Sequence, residues 1–381
     1  SDPPARGRHR HAMDSHIRKD VSAGGGNPSI EAGLRNLLVD CAGIKDGQRV
    51  VLIHEEGNPA VEHEVVAAIE QGARALGATV TSLGCGERLA GPEAIPPHIV
   101  AAMAQADVTI LSHYMGAMLR LRPPIGAGAH VLNYATNRNV LGSRWATVPY
   151  GVWQEAGDAV ARELRGATNW RVTCPLGTDL RGSITPPPAS APSQPFTVLT
   201  FPIGTHNPIR SHGASGRLVI RWLASSANHD IGDGLLLRSP VTAEVRADRI
   251  VSLEGDAGEV AKAESLLHTL GRRNGVDPML INSWHAGINP QARPGCVPER
   301  DLNHWQLMSH NNPRLMHFHA VGHAMPGEVS LPVVDPDIWL DDRHLWRQGE
   351  FLLLESPAIQ DILRRYPGSE DAYELNREVG A

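Results

Sequence analysis

The sequence predicts a mixed fold, α/β followed by α+β. An N-terminal α/β domain on a parallel sheet precedes a C-terminal domain of mainly antiparallel strands with inserted helices. Three observations predict it. Strand-like and helix-like runs alternate between residues 27 and 168, the signature of βαβ units. From residue 169 to 381 strand-like runs come at close intervals with turn residues between them, the antiparallel pattern. At 381 residues the chain is long enough for two cores.

Taken in order, residues 1–26 read as a flexible basic tail without the apolar stretch of a secretory signal. Asn27 and Pro28 open a helix as N-cap and first helical residue, and Leu34, Leu37, Leu38 and Cys41 follow at helical spacing. Residues 47–53 (GQRVVLI) form a buried strand. Asn58 and Pro59 cap a second helix with Val61, Val65, Ala68 and Ile69 on its apolar face. Strands are expected at 77–81, 107–111 and 130–133, with a helix at 99–104 and another at 152–164. His54-Glu55-Glu56-Gly57 after the first strand is not GxGxxG, and no P-loop occurs, so the sheet carries no dinucleotide signature.

In the second half, strand-like runs lie at 170–174, 196–201 and 218–222. Residues 241–246 and 249–253 form a hairpin that turns at Ala247-Asp248. The Pro-rich segment 185–194 cannot sustain a ladder and is a loop or flap. Asp256 caps a helix that runs through Leu270.

Composition narrows the function. A formal charge of −6 argues against nucleic-acid or anionic-membrane partners, and no apolar run is long enough to cross a bilayer. Cys41, Cys85, Cys174 and Cys296 form no CxxC pair and read as reduced thiols of a cytoplasmic protein.

The densest chemistry lies in residues 315–342, where His317, His319, His323 and Glu328 fall within a dozen positions. LMHFHAV is a strand, so His317 and His319 share one face and Phe318 takes the other. His323 and Glu328 follow around Gly322, Pro326 and Gly327, where the chain turns. Imidazoles and a carboxylate brought together this way suit a borderline divalent metal.

Several stretches resemble the aminopeptidase T-like metallopeptidases. CPLGTDLRGSI (174–184) is similar to their Gly-Thr-Asp-Leu strand entry, and FPIGTH (201–206) followed by GRLVI (216–220) to their Pro-x-Gly-Glu segment and next strand. NSWHAGINPQA (282–292) is similar to their Glu-Leu-Gly-Ile-Gly-x-Asn-Pro-x-Ala run, and HAVGHAMP (319–326) to Ala-Leu-Gly-Arg-Ser-Tyr-Pro. PVVDPDIWLDD (332–342) also resembles the tail of the ring-cleaving dihydroxypyridine dioxygenases, which share that fold. The resemblance spans roughly residues 46–350 and implies a metallo-aminopeptidase-like fold. It rests on Gly, Pro and Asn scaffolding, which speaks for fold more than for chemistry.

The departures are informative. The resemblance implies metal-binding Glu where this chain has Thr205 and Ser283, metal-binding His where it has Phe318, and a catalytic Tyr where it has Met325. The family's closing His-x-Asp falls on Glu328 and Ser330. Thr, Ser, Phe and Met cannot replace those ligands. A new His stands next to, or two along from, nearly every lost ligand: His206 beside Thr205, His285 beyond Ser283, and His317 and His319 flanking Phe318. We therefore expect a rebuilt site in which a subset of His206, His285, His319 and Glu328 holds one divalent transition metal (manganese, zinc, iron or cobalt), with His317 and His323 in reserve.

A His-rich site on this fold is similar to the 5-nitroanthranilate aminohydrolase branch of the family. The resemblance implies a metal-activated water that displaces an aryl amine from a small aromatic substrate. Whichever of His317 and His323 is not a ligand would then assist the departing amine. Arg210, Arg293 and Arg314 are expected on the substrate's oxyanions, and Trp284 against its ring. A mononuclear iron ring-cleaving dioxygenase is the alternative, followed by a diverged aminopeptidase and by a binding protein on a decayed scaffold. A homo-oligomer is expected.

Overall fold

A computed structural model describes residues 28–57, 59–86, 89, 91–120, 122–184, 196–224, 234–321 and 329–381. Asn27, Asn58, the Pro-rich segment 185–194, His323 and Glu328 lie outside the described residues.

The strands in chain order are β1 (Arg49–Glu55), β2 (Thr79–Cys85), β3 (Val108–Ser112), β4 (Ala129–Asn133), β5 (Asn169–Thr173), β6 (Asp179–Ser183), β7 (Leu199–Phe201), β8 (Ile209–Arg210) and β9 (Ser215–Leu223). They continue as β10 (Leu235–Arg246), β11 (Arg249–Glu254), β12 (Ile281–Ala286), β13 (Leu315–Ala320), β14 (Val329–Val334), β15 (Asp337–Leu340), β16 (Arg343–Arg347) and β17 (Glu350–Phe351). Three sheets result, ordered β2-β1-β3-β4-β7, β11-β10-β9-β6-β5-β15-β16-β17 and β14-β13-β12-β8.

The first sheet is parallel throughout, as the strand–helix alternation requires. Its β1 and β3 are buried along nearly their whole length, which is why they read as unbroken apolar runs. The opening helix is Pro28–Arg35, continued by a π-helical turn over Asn36–Cys41. It buries Leu34, Leu37, Leu38 and Cys41 against this sheet. The second helix starts at His63 with Glu62 as its N-cap, not at Asn58-Pro59. Ala60 N–H instead donates to the buried carboxylate of Glu55, at 2.6 Å, which ties the segment after β1 back to the strand end.

The run 196–201 also departs from expectation. Its β7 pairs in parallel with β4, so it completes the first sheet rather than joining the antiparallel region. Leu307 and Met308, far along the chain, pack into the same core.

The other two sheets are antiparallel. The β10–β11 hairpin turns at Ala247 and Asp248, with φ of 47° and 69°, the positive values that a two-residue hairpin turn needs. Asp256 caps the helix Ala257–Asn274 by accepting from the N–H groups of Gly258 and Glu259. The two sheets pack face to face through aromatic side chains. Trp170 of β5 meets Trp284 of β12 edge-on at 5.6 Å and Phe318 of β13 at 5.9 Å. The opposite face of the four-stranded sheet is left for other business. No helix among the described residues is long and apolar enough to cross a membrane.

Candidate metal centre

The site follows from the register of two strands. In the β12–β13 pair, Ser283 lies opposite His319, Trp284 opposite Phe318, and His285 opposite His317. Alternation sends Ser283, His285, His317 and His319 to one face of the sheet, and Trp284 and Phe318 to the other. Arg210 of β8, opposite Ser283, extends the polar row.

The three imidazoles converge. Each offers a nitrogen within 4.8 Å of the other two, and all three residues are buried. Ring centroids are 4.2 Å apart for His285–His317, 4.6 Å for His317–His319 and 4.9 Å for His285–His319.

Hydrogen bonds assign the ring protons. His285 Nδ1–H donates to the carbonyl of His206 at 3.1 Å, so His285 Nε2 carries a lone pair. That nitrogen lies 2.7 Å from His317 Nε2, which must then be the N–H donor of the pair. Ser283 Oγ–H donates to Asn282 Oδ1 at 2.7 Å and accepts from His319 Nδ1–H at 2.8 Å, which leaves the lone pair of His319 on Nε2. Two of the three rings are thus held from behind in the tautomer a metal ligand needs. His317 Nδ1 is buried with no hydrogen-bond partner among the described residues. The donor set fits a cation: nitrogen lone pairs from neutral rings, with only a shared proton between two of them.

Burial also sets the charge state. Loss of hydration is the main reason that the pKa values of His285 and His317 lie well below the usual imidazole range, and the neighbouring imidazoles and Arg120 add to it. The neutral form is the one that binds metal.

Close approach of three backbone segments makes the cluster possible. A Cβ on Gly204 would stand 2.1 Å from Asn311 Cβ, and one on Gly287 would stand 2.1 Å from the carbonyl oxygen of Asn312. Only glycine fits at either point. Asn289 and Asn312 then tie these segments through side-chain donors to Ile203 O at 2.9 Å and Ala292 O at 2.8 Å. Gly204, Gly287 and Asn289 lie in FPIGTH and NSWHAGINPQA, two of the stretches that carry the resemblance.

The side of the site away from the sheet is built by other elements. His310 follows the helix Leu302–Ser309 and stacks on His285 at 6.0 Å and 21°. It approaches His317 at 4.9 Å. His310 Nδ1–H donates to Gln306 O at 2.6 Å, and burial, then Arg120, push its pKa down to about 3. Phe196 stands edge-on to His285 at 6.4 Å, with the Arg120 guanidinium over its ring at 5.3 Å.

The expected site residues divide accordingly. His285 and His319 lie in the triad, joined by His317, which had been held in reserve. His206 does not join them, because both its nitrogens are taken by backbone: Nδ1–H donates to Asn207 O at 2.7 Å, and Nε2 accepts from Ala286 N–H at 3.0 Å. Burial lowers its pKa to about 4. It orients His285 through its own carbonyl instead of ligating. Trp284 cannot meet a substrate at this face, since it is fully buried on the opposite one against Trp170. Arg314 is committed to Asp335, donating to its two carboxylate oxygens at 2.6 and 2.7 Å. Arg210 shares the triad's face, and neither it nor Arg293 makes an ion pair among the described residues. Four contributors were missed: Ser283 as a support, and His310, Phe196 and Arg120 as walls. Ser283 had a signal, since it lies two residues from His285 on one strand. The other three come from segments whose approach no local pattern reveals.

No protein-family profile matches the chain, and no curated protein matches its sequence. Among solved structures it is similar to the 2,5-dihydroxypyridine dioxygenase of Pseudomonas putida KT2440. The TM-score is 0.58 at 15% identity, over 86% of this chain and 98% of that one. The likeness shows a common fold spanning nearly the whole neighbour, in keeping with the resemblance in PVVDPDIWLDD.

Proposed function

We propose that this chain is a mononuclear metal enzyme that replaces the amine of a small aromatic compound by hydroxide, as in 5-nitroanthranilate plus water giving 5-nitrosalicylate plus ammonia. The observation that carries the reading is the cluster of three imidazoles, with no carboxylate joining it among the described residues. His285, His317 and His319 would hold the ion, and neutral ligands leave it its full positive charge. When bound, the ion supplies a water acidic enough to act as a nucleophile at neutral pH. The chain's own residues do the rest. His285 and His319 are kept aimed by His206 O and Ser283 Oγ. Phe196 and His310 border the cluster with aromatic surface. A nitro group para to the amine accepts the charge of the attack. The proton lost by the water leaves with the amine, so the reaction balances without another reactant.

A second reading, oxygen-dependent ring cleavage of a hydroxypyridine, is favoured by the dioxygenase of the same fold. One experiment separates them. Purified chain loaded in turn with manganese, zinc, iron or cobalt is incubated with 5-nitroanthranilate without air. Stoichiometric ammonia and nitrosalicylate are expected. No ammonia with any metal, together with oxygen uptake on 2,5-dihydroxypyridine by the iron form, would replace the first reading by the second.

A further inference from the structure

A cation stands beside the four-ring cluster. Arg120 follows the helix Met115–Leu119 and is partly buried. Its Nε–H donates to Ala117 O at a long 3.4 Å and its guanidinium lies beside the buried Tyr134 phenol, while no carboxylate lies within ion-pairing distance of it among the described residues. Other arginines of this chain behave differently. Arg171, Arg314 and Arg365 each meet a carboxylate with two nitrogens. A guanidinium has five N–H donors in a planar fork, and neither Ala117 O nor the Tyr134 phenol brings the fork of Arg120 a negative charge. A partly desolvated cation without a counter-ion is costly, and a ligand anion removes that cost.

The surroundings fix where the fork stands. Thr197 pins the segment of Arg120 to the segment of Phe196: its N–H donates to Arg120 O at 2.7 Å, and its hydroxyl donates to Arg122 O at 2.6 Å. The guanidinium lies over the Phe196 ring, and Phe196 abuts His285. Arg120 and His285 thus flank the same Phe196 ring, the guanidinium 5.3 Å and the imidazole 6.4 Å from its centroid. Its charge also reaches the cluster, where it disfavours protonation of His285, His310 and His317.

We propose that Arg120 is the anion clamp of this site: it takes the carboxylate of a small aromatic acid and so turns the ring toward His285, His317 and His319. The substrate class is therefore aromatic carboxylates rather than neutral aromatic amines or phenols. The inference deepens the proposed function and rests on it for the reacting end of the substrate, but not for the anion.

The test uses benzoate and its neutral isostere benzamide as probes. Calorimetric titration of the full chain, with and without one equivalent of Zn(II), compares the wild type with Arg120→Gln and Arg120→Lys. The wild type prefers benzoate. Arg120→Gln binds benzoate about tenfold to a hundredfold more weakly, the range of a charge-assisted hydrogen-bonded pair, and binds benzamide as before. Arg120→Lys regains part of the preference, because it keeps the charge and loses the fork. Zn(II) affinity within twofold of wild type verifies that the triad is intact. Should Arg120→Gln fail to fold, Arg120→Lys still decides, because a clamp loses benzoate affinity with no change for benzamide. The proposal is overturned if the wild type shows no preference for benzoate, or if the preference survives both substitutions. Failure of the hydrolase reading looks different: no ammonia is released, while benzoate binding still depends on Arg120.

Discussion

Replacing Ser283 by Ala tests whether the hydrogen bonds behind the triad matter to a metal. Ser283 Oγ accepts from His319 Nδ1–H at 2.8 Å and is itself held by Asn282 at 2.7 Å. Ser283→Ala removes that acceptor and leaves His319 free to move its proton to the nitrogen that should ligate. Loss of such an outer partner typically weakens metal binding about 10- to 100-fold, which is about 1.4–2.7 kcal/mol. The folding cost is smaller, on the order of 1 kcal/mol for a net hydrogen bond, so the variant should fold. Competition of Zn(II) between the protein and a chromophoric chelator reads the affinity directly. Ser283→Thr, which keeps the oxygen and suits a strand, should stay within about threefold of wild type. If Ser283→Ala binds Zn(II) within twofold of wild type at the same stoichiometry, the orienting role assigned to this serine is wrong.

Other outcomes follow from the buried rings. His206 is neutral in the folded and unfolded chain above its ordinary pKa. Below that value the unfolded chain takes up a proton while the folded ring, with a pKa of about 4, does not. Stability is therefore full above about pH 6.5 and falls by on the order of 3 kcal/mol as pH drops toward 4. Urea midpoints at pH 7.5, 6 and 5 should decrease steadily, and a flat series would contradict it. His206→Phe strands Ala286 N–H in the interior, at about 1–3 kcal/mol, so it should lower the urea midpoint while Zn(II) still binds one per chain. Trp284→Ala should cost about 3–5 kcal/mol through the cavity left against Trp170, again with one Zn(II) per chain. A loss of metal in either variant without a loss of stability would show that these residues had been misplaced.

Much of the fold could be read locally because its determinants are local. The helix capped by Asp256, the hairpin at Ala247-Asp248 and the alternation through His317, Phe318 and His319 each need only a few adjacent residues. The second helix was misplaced because Glu55, a strand-end carboxylate, holds Ala60 and delays the helix to His63. The run 196–201 looked like any short strand. Its parallel partner β4 is more than sixty residues back, and the alternation of side chains says nothing about which neighbour a strand chooses. The site was legible where one strand pair makes it. Histidines at 285, 317 and 319 lie on a common face whenever β12 and β13 pair in this register. His206 was a candidate because it stands beside Thr205, where the resemblance implies a ligand; only the structure shows both its nitrogens bound to backbone. Arg120, Phe196 and His310 are brought in by loops from three distant segments, and a single sequence carries no trace of that approach.

The claim on which the rest depends is that His285, His317 and His319 hold one metal ion. X-ray absorption at the zinc edge of the Zn(II)-loaded chain tests it most directly. The account predicts one zinc per chain, nitrogen at about 2.0–2.1 Å and the outer-shell scattering of three imidazoles, falling to two in His285→Ala. Substoichiometric zinc, or a spectrum without imidazole scattering that His285→Ala leaves unchanged, would contradict it.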